Sequence, residues 1–157
     1  MKKILITGIT GQDGIFLTNN ILNEEKNIKI IGISREKNNN YFFKLLNELG
    51  SKNLEKVKIL KTDLTKGDEV DSLLTSFSPD YIYNLSGPSS VYESLKNEKV
   101  KTEIINIFKN LVSSLIKNKN FCNFFQASSS EMFGINNDEF LNEKSQFNPN
   151  SPYAVGK

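Results

Sequence analysis

Residues 2–14 constrain the fold of this 157-residue chain more than any other stretch. The apolar run Ile4-Leu5-Ile6 is typical of a strand buried in a parallel sheet. Gly8, Gly11 and Gly14 follow at three-residue spacing, and a segment with helical apolar spacing comes next. This order predicts the first βαβ unit of a dinucleotide-binding fold, in which phosphates lie against N–H groups at the helix N-terminus. A plain tight turn between strand and helix is the alternative.

The rest of the chain alternates predicted strands with predicted helices. Further strands are predicted at residues 27–33, 56–61, 81–85 and 121–127, and helices at 41–49, 68–77 and 100–116. Residues 38–40 predict a loop or a helix start, and a loop rich in Asn, Asp and Glu follows Gly134. Because the order is β-α repeated, we expect an α/β fold, a Rossmann-like doubly wound parallel sheet with right-handed crossovers, within one domain over 1–157.

Composition excludes several classes of function. A net charge of +2 with scattered lysines does not favour nucleic-acid binding. The chain has no histidine, which excludes Ser-His-Asp and Cys-His catalysis and most zinc sites, and we predict no metal. One cysteine allows no internal disulfide and fits a reducing compartment. Because we find neither a signal segment nor an apolar run of membrane-spanning length, we expect a cytoplasmic protein.

The end of the second predicted strand, Ser34-Arg35-Glu36, is the segment that meets the adenosine ribose in a dinucleotide fold. Arginine pairs with phosphate oxygens in a bidentate way, so Arg35 favours NADP, whose ribose carries a 2′-phosphate. Glu36 is suited to a free 2′-hydroxyl, and NAD stays the alternative cofactor. Arg35 as a solvated loop charge is the structural alternative.

Two later strand ends carry further candidates. Asp63 follows the third predicted strand, where a carboxylate either contacts the adenine edge or caps the next helix. Residues 86–90, Ser-Gly-Pro-Ser-Ser, follow the fourth strand with small polar side chains. In this architecture the ends of strands one and four border the ligand crevice, so small residues there allow a nicotinamide ribose to approach. A simple loop is the competing interpretation.

Tyr153 and Lys157 lie four residues apart and share one face if the segment is helical. A lysine cation beside a phenol stabilises the phenolate and lowers the tyrosine pKa. The hydroxyl of Ser129, near the end of the fifth predicted strand, is suited to hydrogen-bond the same substrate oxygen. These three residues predict a base that takes a proton from an alcohol while hydride leaves for a nicotinamide.

At this point the sequence resembles the extended short-chain dehydrogenase/reductase family, and within it the GDP-mannose 4,6-dehydratases. The resemblance runs in the family's order over almost the whole chain. The segments that carry it are Thr-Gly-Ile-Thr-Gly-Gln-Asp-Gly at 7–14, Asp-Leu-Thr at 63–65, Ile-Tyr-Asn-Leu at 82–85, Gln-Ala-Ser-Ser-Ser-Glu at 126–131 and Ser-Pro-Tyr-Ala-Val-Gly-Lys at 151–157.

The resemblance implies a role for each matching residue. Tyr153 deprotonates the sugar 4-hydroxyl with help from Lys157, Ser129 holds the oxygen, and Glu131 promotes loss of water across C5–C6. An epimerase needs no such acid/base group, so Glu131 is the residue that distinguishes a dehydratase. The implied cofactor contacts come from the glycine turn and the strand ends, and they are Gly8, Thr10, Gly11, Gln12, Asp13, Gly14, Arg35, Asp63, Leu64, Leu85, Ser86, Gly87 and Ser89.

The sequence also departs from the group's pattern. Ser129 stands where the group usually has threonine, Pro88 where it has glutamine, and Ser90 where it has histidine. Family members carry about as many residues again, which hold the last strands and the substrate domain. We therefore expect an N-terminal part whose sheet is truncated before those elements, whose Lys157 lacks the helix that should hold it, and which is inactive alone.

The implied function of the parent protein is an NADP-dependent lyase that converts GDP-mannose to the 4-keto-6-deoxy sugar nucleotide. The implied partners are a nucleotide sugar and, in a longer protein, further copies of itself. An NAD(P)-dependent sugar-nucleotide epimerase and a non-catalytic cofactor-binding fragment are the alternatives.

Overall fold

Five strands form a single parallel sheet in the part of the chain that the computed structural model describes, residues 1–36, 39–135 and 140–157. Their order across the sheet is β3-β2-β1-β4-β5, and every pairing is parallel, which confirms the predicted Rossmann-like fold. The strands are β1 (Lys2–Thr7), β2 (Ile28–Ser34), β3 (Val57–Lys61), β4 (Tyr81–Asn84) and β5 (Asn123–Gln126). The predicted loops at residues 38–40 and after Gly134 lie partly outside the described residues.

The central strand β1 is largely buried and pairs with a neighbouring strand on each side. Leu5 and Ile6 are fully buried, as expected for a strand that helices cover on both faces of a parallel sheet. The register places Thr7 opposite Ile33 of β2 and opposite Asn84 of β4. The carboxyl ends of these three strands therefore lie side by side, where open α/β sheets bind ligands.

Helices follow the strands as predicted, with small differences at their ends. They are α1 (Gln12–Glu24), α2 (Asn40–Glu48), α3 (Gly67–Phe77), α4 (Val91–Lys96), α5 (Lys99–Lys117) and α6 (Pro152–Gly156), with 3-10 helices at Leu54–Lys56 and Ser130–Phe133. Helix α4 is not among the predicted elements, and β5 is shorter than the predicted strand at 121–127. The expectation that Lys157 lacks a helix is wrong in part, because α6 ends at Gly156, directly before it.

The chain divides into two compact units, Met1–Ser86 with Asn110–Ala127, and Gly87–Lys109 with Ser128–Lys157. The first unit contains the sheet and a core built mainly from aliphatic residues of β1, β2, α1 and α2. The second has a small core in which Tyr153 packs with Val100 and Ile104. The assignment of 1–157 to a single dinucleotide-binding domain stays a prediction.

Among the described residues, no helix combines the length and the apolar character that a membrane span requires.

Candidate functional site

The glycine turn between β1 and α1 has a backbone that side chains would obstruct. Gly8 has a φ of +67°, which L-residues rarely adopt, and a Cβ there would lie 2.9 Å from the carbonyl oxygen of Leu85. Gly11 is the N-cap of α1 and has no side chain with which to cap it. The first-turn N–H groups are thus left for a ligand, and the absent Cβ atoms let that ligand approach the backbone.

Gly14 permits close packing between α1 and the turn. A Cβ on Gly14 would lie 2.5 Å from the carbonyl oxygen of Ile9, a distance that real Cβ atoms essentially never show. Gln12 and Asp13 lie in the exposed first turn of α1, where a carboxylate interacts favourably with the helix dipole. The turn therefore fits a dinucleotide pyrophosphate, and the individual contacts of Gln12 and Asp13 stay predictions.

Thr10 connects the glycine turn to the end of β2. Its Oγ1 lies 3.3 Å from Oγ of the buried Ser34, and that oxygen also accepts a hydrogen bond from the backbone N–H of Glu36 at 3.1 Å. Ser34 is thus engaged in shaping the turn that presents Arg35. The sequence did not predict this role for the Ser34 hydroxyl.

Asp63 and Arg35 lie near each other beyond the ends of β3 and β2. The pKa of the Asp63 carboxyl is lowered, chiefly by hydrogen bonds from the hydroxyl (2.7 Å) and backbone N–H (3.0 Å) of Thr65, and further by the cations of Lys66 and Arg35. The capping interpretation of Asp63 is wrong, because the N-cap of α3 is Lys66. Asp63 instead closes the turn before that helix.

Leu64, predicted to contact the cofactor, is only 5% exposed and lies in the core. Its carbonyl oxygen accepts a hydrogen bond from Asn110 of α5 at 3.0 Å. Because this side chain is buried, little of its surface is accessible to a ligand. Contact between Leu64 and the cofactor stays a prediction, and the burial does not favour it.

The segment after β4 is held against the glycine turn. The backbone N–H of Leu85 donates to the Thr7 carbonyl at 3.3 Å, and that of Ser86 donates to Thr7 Oγ1 at 3.2 Å. In the second unit, Gly87 has a φ of +127° and Ser89 is exposed. The Ser90 hydroxyl accepts from the backbone N–H of Glu93 and caps α4, so this residue has a structural role.

In the second unit, Tyr153 and Lys157 share one side of α6, as predicted. The Lys157 Nζ lies 5.6 Å from the centre of the Tyr153 ring. Pro152 occupies the first turn, and the Ser151 hydroxyl caps the helix by accepting from the backbone N–H of Ala154 at 3.1 Å. The cap explains how a helix of only five residues is held in place.

The environment of these two side chains is partly apolar. Tyr153 is 8% exposed and packs with Val100 and Ile104 of α5. Burial lowers the pKa of the Lys157 ammonium, because desolvation disfavours its charged form. The Lys157 ammonium and the Tyr153 ring are therefore neighbours in a partly desolvated environment.

Ser129 and Glu131 lie on the segment that contacts α6. Ser129 is the N-cap of the 3-10 helix Ser130–Phe133, and its Oγ accepts from the backbone N–H of Glu131 at 3.2 Å. The Glu131 side chain is exposed. This 3-10 helix packs against α6, so the structure brings together the two segments that carry all four predicted catalytic residues.

The five-stranded parallel sheet and the glycine turn of the first unit define a protein of the Rossmann-like α/β class. The family described as GDP-mannose 4,6 dehydratase matches residues 5–157. The chain belongs to this family. It is 33% identical to GDP-mannose 4,6 dehydratase 1 of Arabidopsis thaliana over 99% of the chain and 45% of the relative, and 32% identical to a Vibrio cholerae GDP-mannose 4,6-dehydratase over 99% and 43%.

Solved structures share the fold. A UDP-Glc/GlcNAc 4-epimerase from Campylobacter jejuni superimposes with a TM-score of 0.86 at 21% identity, over 100% of this chain and 46% of that one. The UDP-N-acetylglucosamine 4-epimerase of Methanobrevibacter ruminantium has a TM-score of 0.80 at 25% identity, over 99% and 46%. The chain thus spans less than half the length of the relatives and structures that it matches.

Proposed function

We propose that this chain is the cofactor-binding and catalytic part of a nucleoside-diphosphate-sugar 4,6-dehydratase that acts on GDP-mannose. The observation that carries the proposal is the packing of the 3-10 helix with Ser129 and Glu131 against the helix with Tyr153. An alcohol oxidation needs a base and an oxygen-holding hydroxyl, and a dehydration needs a further acid/base group. The family supports the same reaction class.

Each of the four residues then has a defined proton or hydrogen-bonding role. Tyr153 as phenolate takes the proton of the sugar 4-hydroxyl, Lys157 stabilises that phenolate, and Ser129 hydrogen-bonds the same oxygen. A dinucleotide held at the glycine turn would supply the hydride acceptor for C4 and the hydride donor for C6. Glu131 takes the C5 proton and passes it to the C6 hydroxyl, which leaves as water. The C4 ketone makes that C5 proton acidic, so oxidation precedes elimination. When hydride reaches C6, C5 takes up one proton, which the proton that Tyr153 took from the 4-hydroxyl balances.

We further propose NADP as the dinucleotide, with Arg35 as the residue that selects it. Arg35 follows the end of β2, and its cation lies close enough to Asp63 to lower the pKa of that carboxyl. Glu36 keeps NAD open, and a structural neighbour from Bifidobacterium longum was solved with NAD+. NADP carries a 2′-phosphate that NAD lacks, so a comparison of the affinities for the two dinucleotides tests this proposal directly.

We expect NADPH to bind this chain about tenfold more tightly than NADH, since a charge-assisted contact to phosphate is strong. Arg35→Ala should remove most of that difference and leave the NADH affinity unchanged. Titration calorimetry with both dinucleotides measures it, and Lys58→Ala, at an exposed position of β3, is the matched charge control. Equal affinities of the unmodified chain for NADPH and NADH would refute the selection by Arg35.

The reaction itself is tested with a chimera that joins residues 1–157 to the part of the Vibrio cholerae relative beyond the aligned region. The chimera is incubated with NADP and, separately, GDP-mannose, dTDP-glucose and UDP-sugars, and products are identified by mass. A dehydratase releases one water, whereas an epimerase leaves the mass unchanged. Because the substrate domain of the chimera comes from a GDP-mannose 4,6-dehydratase, the experiment tests the reaction that residues 1–157 support. Loss of water from GDP-mannose supports the proposal, and an unchanged mass contradicts it.

Sugar-nucleotide epimerisation is the second candidate, because the structural neighbours include the Methanobrevibacter ruminantium epimerase at 25% identity. It needs Tyr153, Lys157 and Ser129, and it assigns no role to Glu131. A cofactor-binding module without turnover is the third, and it predicts dinucleotide binding with no product. We propose a cytoplasmic location and assembly into dimers or tetramers as part of the same dehydratase function.

A further inference from the structure

Three buried or half-buried polar side chains lie at the carboxyl ends of neighbouring strands. They are Thr7 at the end of β1, Asn84 at the end of β4 and Gln126 at the end of β5, and the sheet register aligns them across the three strands. Thr7 is fully buried and Asn84 is 1% exposed. Polar groups at such depth are stable only when their hydrogen bonds are satisfied, so their partners identify what the cluster holds.

The hydrogen bonds of this cluster run from Thr7 through Asn84 to Gln126, with each residue donating to the next. Thr7 Oγ1 accepts from the backbone N–H of Ser86 and donates its own proton to Asn84 Oδ1 at 2.6 Å. The same Oδ1 accepts from the Ser86 hydroxyl at 2.9 Å. Asn84 Nδ2 donates to Gln126 Oε1 at 2.7 Å, and Gln126 Nε2 donates to the Ala127 carbonyl at 3.0 Å. Asn84 is the hub, since it bonds to three other side chains.

The cluster holds the segment after β4 and is not needed to shape the glycine turn. The backbone N–H groups of Gly8 and Ile9 both donate to the Ile33 carbonyl, at 3.0 and 3.3 Å, and Gly11 donates to the Gly8 carbonyl. These backbone bonds anchor the turn without any help from the Thr7 hydroxyl. What the hydroxyl fixes is the backbone of Ser86, directly beside Gly8.

We propose that Asn84, acting through Thr7, is a positioning residue that sets the distance between the glycine turn and the Leu85–Ser86 segment, and thereby aligns the nicotinamide half of the bound dinucleotide. The inference rests on the proposed dinucleotide binding. In this architecture the pyrophosphate lies at the glycine turn, and the rest of the dinucleotide extends across the crevice toward the end of β4. A displaced Ser86 would therefore disturb the nicotinamide half and spare the adenosine half.

Thr7→Val tests the proposal with a change of one hydroxyl to one methyl. Asn84→Leu would remove three hydrogen bonds at once and risks loss of folding, whereas Thr7→Val leaves Asn84 Oδ1 with the Ser86 hydroxyl. In the 157-residue chain, Thr7→Val removes the two hydrogen bonds of the hydroxyl, to Ser86 N–H and to Asn84 Oδ1. We expect NADPH binding to weaken about three- to tenfold. The affinity for adenosine 2′,5′-bisphosphate should change less than about twofold. Thr7→Ser, which retains the hydroxyl, should restore the NADPH affinity.

Hydrogen exchange of the ligand-free chain supplies a readout that does not depend on the cofactor. Thr7→Val should speed exchange of the Ser86 amide, which loses its acceptor, and leave Gly8, Ile9 and Gly11 unchanged. Parallel loss of both ligands, or unchanged affinity for both, would overturn the positioning role. If the unmodified chain binds neither ligand, the proposed dinucleotide function itself fails and the positioning role fails with it; exchange then still reports whether the hydrogen bond holds Ser86.

Discussion

Replacing Gly14 with alanine is expected to lower the free energy of unfolding by about 3 kcal/mol, an overpacking cost. For a chain of this size that corresponds to a fall in Tm of roughly 6–12 °C. The added Cβ would lie 2.5 Å from the Ile9 carbonyl oxygen and 2.6 Å from the Ile9 Cα. Because these are backbone atoms, the helix must move to relieve the overlap.

The expected loss of stability is opposite in sign to the usual effect of glycine to alanine in a helix. In an ordinary helix interior, glycine to alanine is stabilising by up to about 1 kcal/mol, because alanine loses less backbone entropy. Only the close approach of α1 to the turn reverses the sign at Gly14. Displacement of α1 would also move the first-turn N–H groups, so dinucleotide affinity should fall together with stability.

Gly67→Ala is the matched control. Gly67 begins α3, and a Cβ there would meet only the Asn110 side-chain oxygen, at an ordinary 3.6 Å. We expect a neutral or slightly stabilising effect, about 0.5 kcal/mol. Urea unfolding followed by circular dichroism measures both variants. If the Gly14→Ala variant has the same free energy of unfolding as the unmodified chain, the close packing of α1 against the turn is contradicted.

The sheet was predictable because its signals are local. Ile4-Leu5-Ile6 is an uninterrupted apolar run, and the glycines and the helical apolar spacing that follow it complete a strand–turn–helix order. Helix α4 was missed because it has only six residues and little periodicity. A local signal did exist, since Ser90 and Glu93 have the spacing of a capping box, and the structure shows the Ser90 hydroxyl bonded to the Glu93 backbone N–H.

The site was predictable only where it depends on short separations. Tyr153 and Lys157 are related by helical spacing, and the structure confirms that they lie on one side of α6. The apolar support of Tyr153 by Ile104 joins residues far apart in the sequence, and no periodicity predicts such a pair. The Thr7–Asn84–Gln126 cluster likewise depends on the register of three strands, which a single sequence does not specify.

Glu131→Gln, made in the chimera described above, is expected to lower the rate of water loss from GDP-mannose by about 10²–10⁴-fold, the usual contribution of one acid/base group. Oxidation at C4 should continue, because Tyr153, Lys157 and Ser129 remain. Substrate carrying deuterium at C4 separates the two steps: label passes to the dinucleotide in the variant and reaches C6 only in the unmodified chimera. Glu98→Gln, at an exposed position of the same unit, is the charge control.

Tyr153→Phe provides the contrast that makes the Glu131 result interpretable. Without the phenol, the 4-hydroxyl proton has no acceptor, so neither label transfer nor water loss should occur at more than about a hundredth of the unmodified rate. If the protein is a dehydratase, label transfer to the dinucleotide should occur in Glu131→Gln and not in Tyr153→Phe. Water loss should be impaired in both variants. If Glu131→Gln releases water at the unmodified rate, the carboxylate is only a solvated residue beside the Ser129 cap, and the acid/base group of any dehydration must be sought elsewhere in the protein.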